Sequence, residues 1–459
     1  MAEKIITEPR DLPAVEELLQ SEEITAFTVN LPRPYCVICI REELESARER
    51  LGQGESTFTR ELLIAGIAGR LAKEGRRKIT RVINATGILV HTNLGRAPLS
   101  QSQFEHLKST LTGYTNLEFD LESGERGSRG ESCEKFLALL AESESATVVN
   151  NCAAALFMIL NTFATRKSVV ISRGELVQIG GGFRIPDILK RSGAKLVEVG
   201  TSNMTSLSDY ANAIDDNTAL LLKVHKSNFA LAGFTEEVSI AQLAELGKSR
   251  GIPVVHDLGS GAMALTGDIL GHAETIVQQS VRDCATLTCF SADKLLGGSQ
   301  AGIIVGETKY ISTIRKNPLF RAVRADKIVF ALLEHTATVY LENRWREEIP
   351  LWRLASTPIS LLTQRANKIV DQSGFGTGAT VVASEAQTGG GSLPDTALKS
   401  VALRIDCAIK PRRLIKLFRD YQTPIIGRIS QDSFLLDLKA VDPTDDTLLA
   451  AAIKSIAGK

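Results

Sequence analysis

Surplus charge is what this chain most plainly lacks. Its 459 residues carry 53 Lys and Arg against 53 Asp and Glu. No global field therefore marks a polyanion-binding protein, and any nucleic acid must be met by local patches. The short nucleotide fingerprints are missing as well. No G-x-G-x-x-G leads from a strand-like run into a helix, and no G-x-x-x-x-G-K-[ST] occurs, so the common dinucleotide and NTP loops lose ground. Met1 to Arg10 hold no apolar core, which reads against export and predicts a cytoplasmic protein. Cysteine is sparse, with seven scattered residues that suit reduced thiols. Cys36-Val-Ile-Cys39 has no second C-x-x-C pair and reads as core. The one long uncharged run, Ala146 to Thr165, has the 20 residues of a membrane span. Asn150, Asn151 and Asn161 interrupt it, so it reads as buried strand, polar turn and buried helix. No membrane partner, no DNA and no metal is expected.

The length implies two or three domains. Residues 1–80 read as a helical N-terminal domain: apolar residues recur three and four apart after Pro13, then over Arg41 to Leu51 and Phe58 to Leu71, with Pro32 and Pro34 breaking the pattern between. The stretch from Lys73 to Arg81, five basic residues and one acid, reads as a solvated linker that offers a phosphate contact. Residues 81–326 alternate strand-like and helical runs. The expected strands are Ala146–Val149, Ser168–Ser172, Lys195–Val199, Ala219–Val224, Pro253–Asp257, Ala285–Phe290 and Gly302–Val305. Between them lie helical runs such as Ala153–Ala164 and Ile240–Arg250. This alternation predicts an α/β fold with a mostly parallel, doubly wound sheet. Residues 327–459 read as a long linker helix over 327–346 and a smaller α+β domain, with strands at Ser400–Ile405, Ile425–Ile429 and Phe434–Asp437.

Four features of the α/β region carry chemistry. Val148-Val149-Asn150-Asn151-Cys152-Ala153 leads from a strand into a helix start with small side chains, where backbone N–H groups make an anion site. Polar groups gather at a second strand end, Lys223-Val224-His225-Lys226-Ser227-Asn228. A third strand ends in His256-Asp257, a carboxylate that needs a cationic partner if buried. The fourth feature is Ser291-Ala292-Asp293-Lys294 followed by Gly297-Gly298. A lysine held against small residues is poorly solvated, has a lowered pKa and can attack a carbonyl. The hydroxyl of Ser291, three residues earlier, is placed to reach a phosphate. Phosphate cup, strand-end carboxylate and strand-end lysine together are what pyridoxal phosphate requires.

The chain resembles the bacterial selenocysteine synthases, the L-seryl-tRNA(Sec) selenium transferases, a branch of the aspartate-aminotransferase-like PLP superfamily (fold type I). The resemblance runs over nearly the whole chain. It is carried by Ile83 to Gly87, His91 to Leu99, Ser172-Arg-Gly-Glu-Leu176, Phe183-Arg-Ile-Pro-Asp187 and Asp293 to Gly298. It implies pyridoxal 5'-phosphate as cofactor, bonded through its aldehyde to Lys294, with Asp257 on the ring nitrogen. Asn150, Asn151, Cys152, Ala153 and Ser291 would hold the phosphate, Asn228 would lie near the ring hydroxyl, and His225 or His256 against the ring. Arg96, Arg321 and Arg324 look like the cluster that receives the anionic selenium donor, selenophosphate, with Arg129 a weaker member; forked guanidiniums suit such a group. The implied reaction eliminates water from the seryl group of seryl-tRNA(Sec) and adds selenium, with Lys294 moving the α-proton. Self-association into dimers and a decameric ring, and tRNA binding by the N-terminal domain, are further implications. Departures are Cys152, Gln178 and Ala292, where the family often has Asn, Glu and Gly; Gln178 cannot shuttle a proton. Two rival readings are a small-molecule PLP-dependent β-eliminating lyase and a tRNA-binding homologue with a vestigial cofactor site.

Overall fold

The computed structural model describes residues 5–28, 31–54, 59–76, 78–179, 183–226, 233–271, 273–390 and 397–457. The chain forms two compact units, Met1–Arg81 and Val82–Lys459. In the first, α1 (Arg33–Gly52) and α2 (Arg60–Arg76) enclose a core that includes Leu18, Ile40, Leu44 and Ile67. The helix expected from Arg41 starts at Arg33, because Pro34 occupies its first turn, where the missing N–H has no helical acceptor to lose. Cys36 and Cys39 lie on one buried face of α1, and burial raises both thiols. They are core.

The second unit is built on a seven-stranded sheet. Its strands are β1 (Ser145–Val149), β2 (Ser168–Ser172), β3 (Lys195–Val199), β4 (Thr218–Val224), β5 (Val254–Gly259), β6 (Leu287–Ser291) and β7 (Gly302–Gly306). They lie in the order β1-β7-β6-β5-β4-β2-β3. From β6 to β3 neighbours run parallel, while β7 runs antiparallel to both β6 and β1. The reason is chain length: the link from Ser291 to Gly302 is too short for a crossover and must fold back. That link carries Lys294. Both faces of β2, β6 and β7 are buried, as expected of a sheet with helices on each side. On one side α4 (Cys152–Ala164) packs with Val255, Cys289 and Ile304; on the other, α3 (Glu131–Leu140) and α5 (Lys327–Leu341) pack with Leu258, Phe290, Ala292 and Leu295. The helical pattern predicted over 327–346 stops at Leu341; Asn343 is left-handed (φ 55°) and Trp345 opens a new short helix.

A four-stranded antiparallel sheet completes the unit: β8 (Ala379–Gln387), β9 (Ala397–Ile405), β10 (Arg428–Ser430) and β11 (Ser433–Asp437), ordered β8-β9-β11-β10. α6 (Ile359–Ser373), α7 (Pro411–Arg419) and α8 (Asp446–Ala457) bury Leu362, Ile369, Leu414, Phe418 and Ile453 against it. The chain enters this unit through the same layer, since Ile83–Asn84 pairs parallel with Ile425–Ile426. Among the described residues no helix is long and apolar enough to cross a membrane.

Candidate active site

The Lys294 turn is held from four sides. Ala292 N donates to Ala301 O at 3.0 Å, Gly298 N to Ala292 O at 2.9 Å, Gly297 N to Lys294 O at 3.0 Å, and Leu295 N to Ser260 O at 3.0 Å. Gly297 is left-handed (φ 73°), and a Cβ there would lie 2.4 Å from the Ile349 side chain, so a glycine at 297 is a steric requirement of the turn. Lys294 is only 7% exposed. Burial pushes its amine below the ordinary lysine range and nearby Arg96 pushes the same way, against the pull of Cys152, Asp257 and Asp293.

Asp257 lies in β5 two residues before its end, on the face shared with α4 and beside Cys289 of β6. Burial raises its carboxyl to about 6; Lys294, the thiols of Cys152 and Cys289, and the Gly259 N–H oppose the rise. The Cys152 thiol donates to Asp257 Oδ1 at 3.5 Å, and the Cys152, Asp257 and Cys289 ligating atoms lie within 4.8 Å of one another. Cys152 therefore does more than keep the turn small. It touches the carboxylate.

The turn before α4 forms as its sequence suggests. Asn151 caps the helix, its Oδ1 accepting from Ala154 N at 2.8 Å. The N–H groups of Cys152 and Ala153 are left without helical acceptors. Asn150 is exposed, and its N–H donates to Val323 O at 3.0 Å. Gly302 lies directly under the turn: a Cβ there would fall 2.1 Å from Asn151 O. Ser291 is buried at the end of β6.

Arg96 reaches the site from a loop in which Gly95 and Arg96 are both left-handed (φ 92° and 66°). Arg96 N donates to His91 O at 3.0 Å, and Ala97 N to Asp293 O at 3.2 Å. Its guanidinium bonds both oxygens of Asp293, at 2.9 and 2.8 Å. A cavity of about 330 Å³ opens beside this pair, lined by Thr92, Arg96, Asp293, Ser299 and Gln300 among others. The Ser299 hydroxyl, next to the cavity, is buried without a partner.

The other two arginines sit at the end of β1. Arg324 bridges Val149, and its Nη1 lies 3.7 Å from Glu118 Oε1, while its Nε is buried unpartnered. Arg129 donates to Ala325 O at 3.0 and 2.7 Å and pairs with Glu118 at 2.6 Å; these charges hold the Glu118 carboxyl below the usual range. Arg321 is exposed on the turn Pro318–Val323. Among the described residues no hydrogen bond or ion pair links Arg321 or Arg324 to Arg96.

The two histidines have different partners. His256 is on the opposite face of β5 from Asp257, because successive strand residues alternate; its Nδ1 shares a 2.7 Å hydrogen bond with Ser280 Oγ in the far core. That bond turns it away from the Asp257 face. His225 follows β4, and its N–H donates to Asp257 O at 2.9 Å. Its Nδ1 faces Glu274 Oε1 at 3.5 Å, and both atoms are buried and otherwise unpartnered. Burial lowers the His225 pKa against the pull of Glu274. Asn228 lies outside the described residues. Gln178 is exposed and accepts from Arg184 Nε at 2.9 Å.

Four acids escaped the sequence reading as site residues: Asp293, Glu118, Glu274 and Glu175. Asp293 had a signal, since it adjoins the lysine. Glu175, inside the Ser172–Leu176 motif, is buried and bonds Lys223 Nζ at 2.9 Å and Val224 N at 2.8 Å. Glu274 carries no local signature, because His225 is remote in the chain; Glu118 had a nearby one, since its partners Arg126 and Arg129 stand in the basic Gly-rich loop just after it.

Comparison with known proteins places these features in one family. The L-seryl-tRNA selenium transferase family model matches residues 82–442, and the selenocysteine synthase N-terminal model matches residues 9–48. A protein of Geotalea uraniireducens named L-seryl-tRNA(Sec) selenium transferase is 41% identical over 458 residues, covering 98% of this chain and 99% of its own. One of the same name from Aquifex aeolicus is 42% identical over 440 residues, covering 94% and 95%. Among solved structures, a D-glucosaminate-6-phosphate ammonia-lyase shares the fold with a TM-score of 0.60 at 18% identity, over 83% of this chain and 96% of that one. With its Lys294 turn, its capped helix start and this full-length likeness, the chain belongs to the L-seryl-tRNA selenium transferase family.

Proposed function

We propose that this protein converts seryl-tRNA(Sec) to selenocysteinyl-tRNA(Sec), with pyridoxal 5'-phosphate held at Lys294 and selenophosphate as selenium donor. The observation that carries the reading is the buried convergence of Lys294, Asp257 and the Cys152 helix start. It occurs in a chain similar over its whole length to relatives of that name.

The residues fit the cofactor. The bare N–H groups of Cys152 and Ala153, the Asn150–Asn151 turn and Ser291 would hold its phosphate, and Gly302 leaves that turn its close approach to β7. Asp257, buried and with no cation in direct contact among the described residues, would hold the proton on the ring nitrogen. Pyridoxal phosphate, when bound, supplies the electron sink for negative charge at the seryl α-carbon. Lys294 Nζ, whose free base is favoured by burial, takes the α-proton and later returns it. The seryl β-hydroxyl would take a proton and leave as water; selenium from the donor would add to the same β-carbon, and water would cleave the donor's P–Se bond and release phosphate. Arg96, oriented by Asp293, receives the phosphate-like donor, with Arg324 and Arg321 as the outer cations. Of the two histidines, His225, whose ring is in electrostatic reach of Lys294, is the one that would lie against the cofactor ring. The N-terminal unit would grip the tRNA by backbone and shape, and pairing of subunits into a ring of dimers belongs to the same reading.

The deciding experiment incubates purified protein with pyridoxal phosphate, selenophosphate and seryl-tRNA(Sec), with seryl-tRNA(Ser) as control. Selenocysteine esterified to tRNA(Sec) alone, and lost in Lys294→Ala, is the expected result. Ammonia and a keto acid released from free amino acids, without tRNA-linked product, would replace this reading with a small-molecule lyase.

A further inference from the structure

Helix α7 carries five cations, Lys410, Arg412, Arg413, Lys416 and Arg419, at its start and along its length, and all five are exposed. Arg412, Lys416 and Arg419 are four and then three residues apart, so they form one stripe, about 10 Å long at the helical rise. The opposite face is closed: Leu414 and Phe418 are buried, with the Phe418 ring 5.0 Å from Phe434. Several arginines elsewhere in the same domain are neutralised: Arg365–Asp446 at 2.8 Å, Arg404–Asp406 at 2.9 Å and Arg428–Asp437 at 3.3 Å. Among the described residues none of the five forms an ion pair. In a chain whose charges balance, this is a concentrated positive face that the fold itself does not use.

We propose that the exposed face of α7 binds the ribose-phosphate backbone of the RNA substrate. This rests on the functional reading above and extends it to a second contact, outside the N-terminal unit. Three observations favour a phosphate backbone. The apolar side of α7 is sealed, so nothing remains to enter a bilayer. No aromatic side chain stands on the cationic face to stack bases. Lysines and arginines are mixed, which suits sequence-independent phosphate contacts. The position is also right. The sheet under α7 holds the Arg96 loop, through Val90 N to Thr388 O at 2.7 Å and Asp437 N to Ala85 O at 2.9 Å, so RNA gripped here is held on the domain that borders Lys294.

The test measures binding of seryl-tRNA(Sec) to the whole protein across a range of KCl concentrations. Each phosphate contact contributes about 0.7–0.9 to the slope of log affinity against log salt. Replacing Arg412, Arg413, Lys416 and Arg419 together by Ala should weaken binding about ten-fold at ~0.1 M salt and reduce the slope by about 2. Arg412→Lys, Arg413→Lys and Arg419→Lys combined should keep both, since charge and not the fork is used. Removing as much charge elsewhere, at Lys190, Arg191, Lys248 and Arg250, should change neither. Independently of any variant, bound seryl-tRNA(Sec) should protect Lys410 and Lys416 of the wild type from acetylation. An alanine set that keeps wild-type affinity and slope, or a control set that loses as much, overturns the proposal. So does unprotected acetylation. A wild type that binds no seryl-tRNA(Sec) removes the functional reading itself, a different and earlier failure.

Discussion

One guanidinium nitrogen of Arg96 bonds both carboxylate oxygens of Asp293, at 2.9 and 2.8 Å, across 197 residues of chain. The residue before the lysine thus aims the arginine that faces the cavity. Asp293→Asn keeps the shape and removes the charge. Charge-assisted bonds of this kind contribute roughly 1.5–3 kcal/mol, and the partial exposure of Arg96 puts the effect at the low end. We expect the KM for the selenium donor to rise on the order of ten-fold, with the cofactor absorbance spectrum unchanged. Steady-state kinetics with selenophosphate as varied substrate checks this.

The Asp257 carboxyl, raised to about 6 by burial, makes cofactor binding to the stripped protein pH-dependent. Above that value the group is an anion that can pair with a protonated ring nitrogen. Below it the group takes a proton and the pairing is lost. Affinity for pyridoxal phosphate should therefore fall as pH drops through about 6, by at most about ten-fold per pH unit. Absorbance titrations between pH 5 and 8 would show the inflection in wild type and its absence in Asp257→Asn.

Gly302→Ala should disturb the turn before α4 from beneath. The added methyl would fall 2.1 Å from Asn151 O, backbone that cannot yield without shifting the start of α4. Overpacking of this sort costs about 1–3 kcal/mol. A lowered melting temperature together with weaker retention of pyridoxal phosphate is expected. Weakened stability with untouched cofactor affinity would separate the turn from the cofactor.

Glu175 and Lys223 form a buried pair, their side chains 4% and 13% exposed. Glu175→Ala removes the closer partner, leaves the ammonium with only the half-exposed Glu237 at 3.7 Å, and strips Val224 N of its acceptor. Breaking a buried pair in this way costs roughly 3–5 kcal/mol, whereas Glu175→Leu with Lys223→Met should cost less than the single change. Thermal melts of the three proteins test the ordering.

Local pattern told most about elements and their chemistry. Strand and helix periods in the large unit were legible to within a few residues, because burial on both faces of β2, β6 and β7 demands continuous apolar runs. The Lys294 turn and the capped start of α4 were legible for a related reason: tight turns and helix starts restrict residue type over a few neighbours; the strand carrying Asp257 was also read, though it runs two residues further, to Gly259. The start of α1 was missed, since Pro34 reads as a breaker and is in fact a first-turn residue.

Residue order alone determined the α/β class, the polar turn into α4, and the placing of Lys294 in the turn after β6 and of Asp257 near the end of β5, all of which depend on neighbours close in the chain. Tertiary structure decided the rest. It reversed β7 and paired it with β1, brought Cys152 to Asp257, clamped Arg96 on Asp293, placed Arg324 beside Glu118, and turned His256 toward Ser280. Each of these is a meeting of side chains or strands that are remote in sequence or that share an element but not a face. Such meetings follow from how the sheet is ordered and which core each face enters, and no short window of residues encodes either.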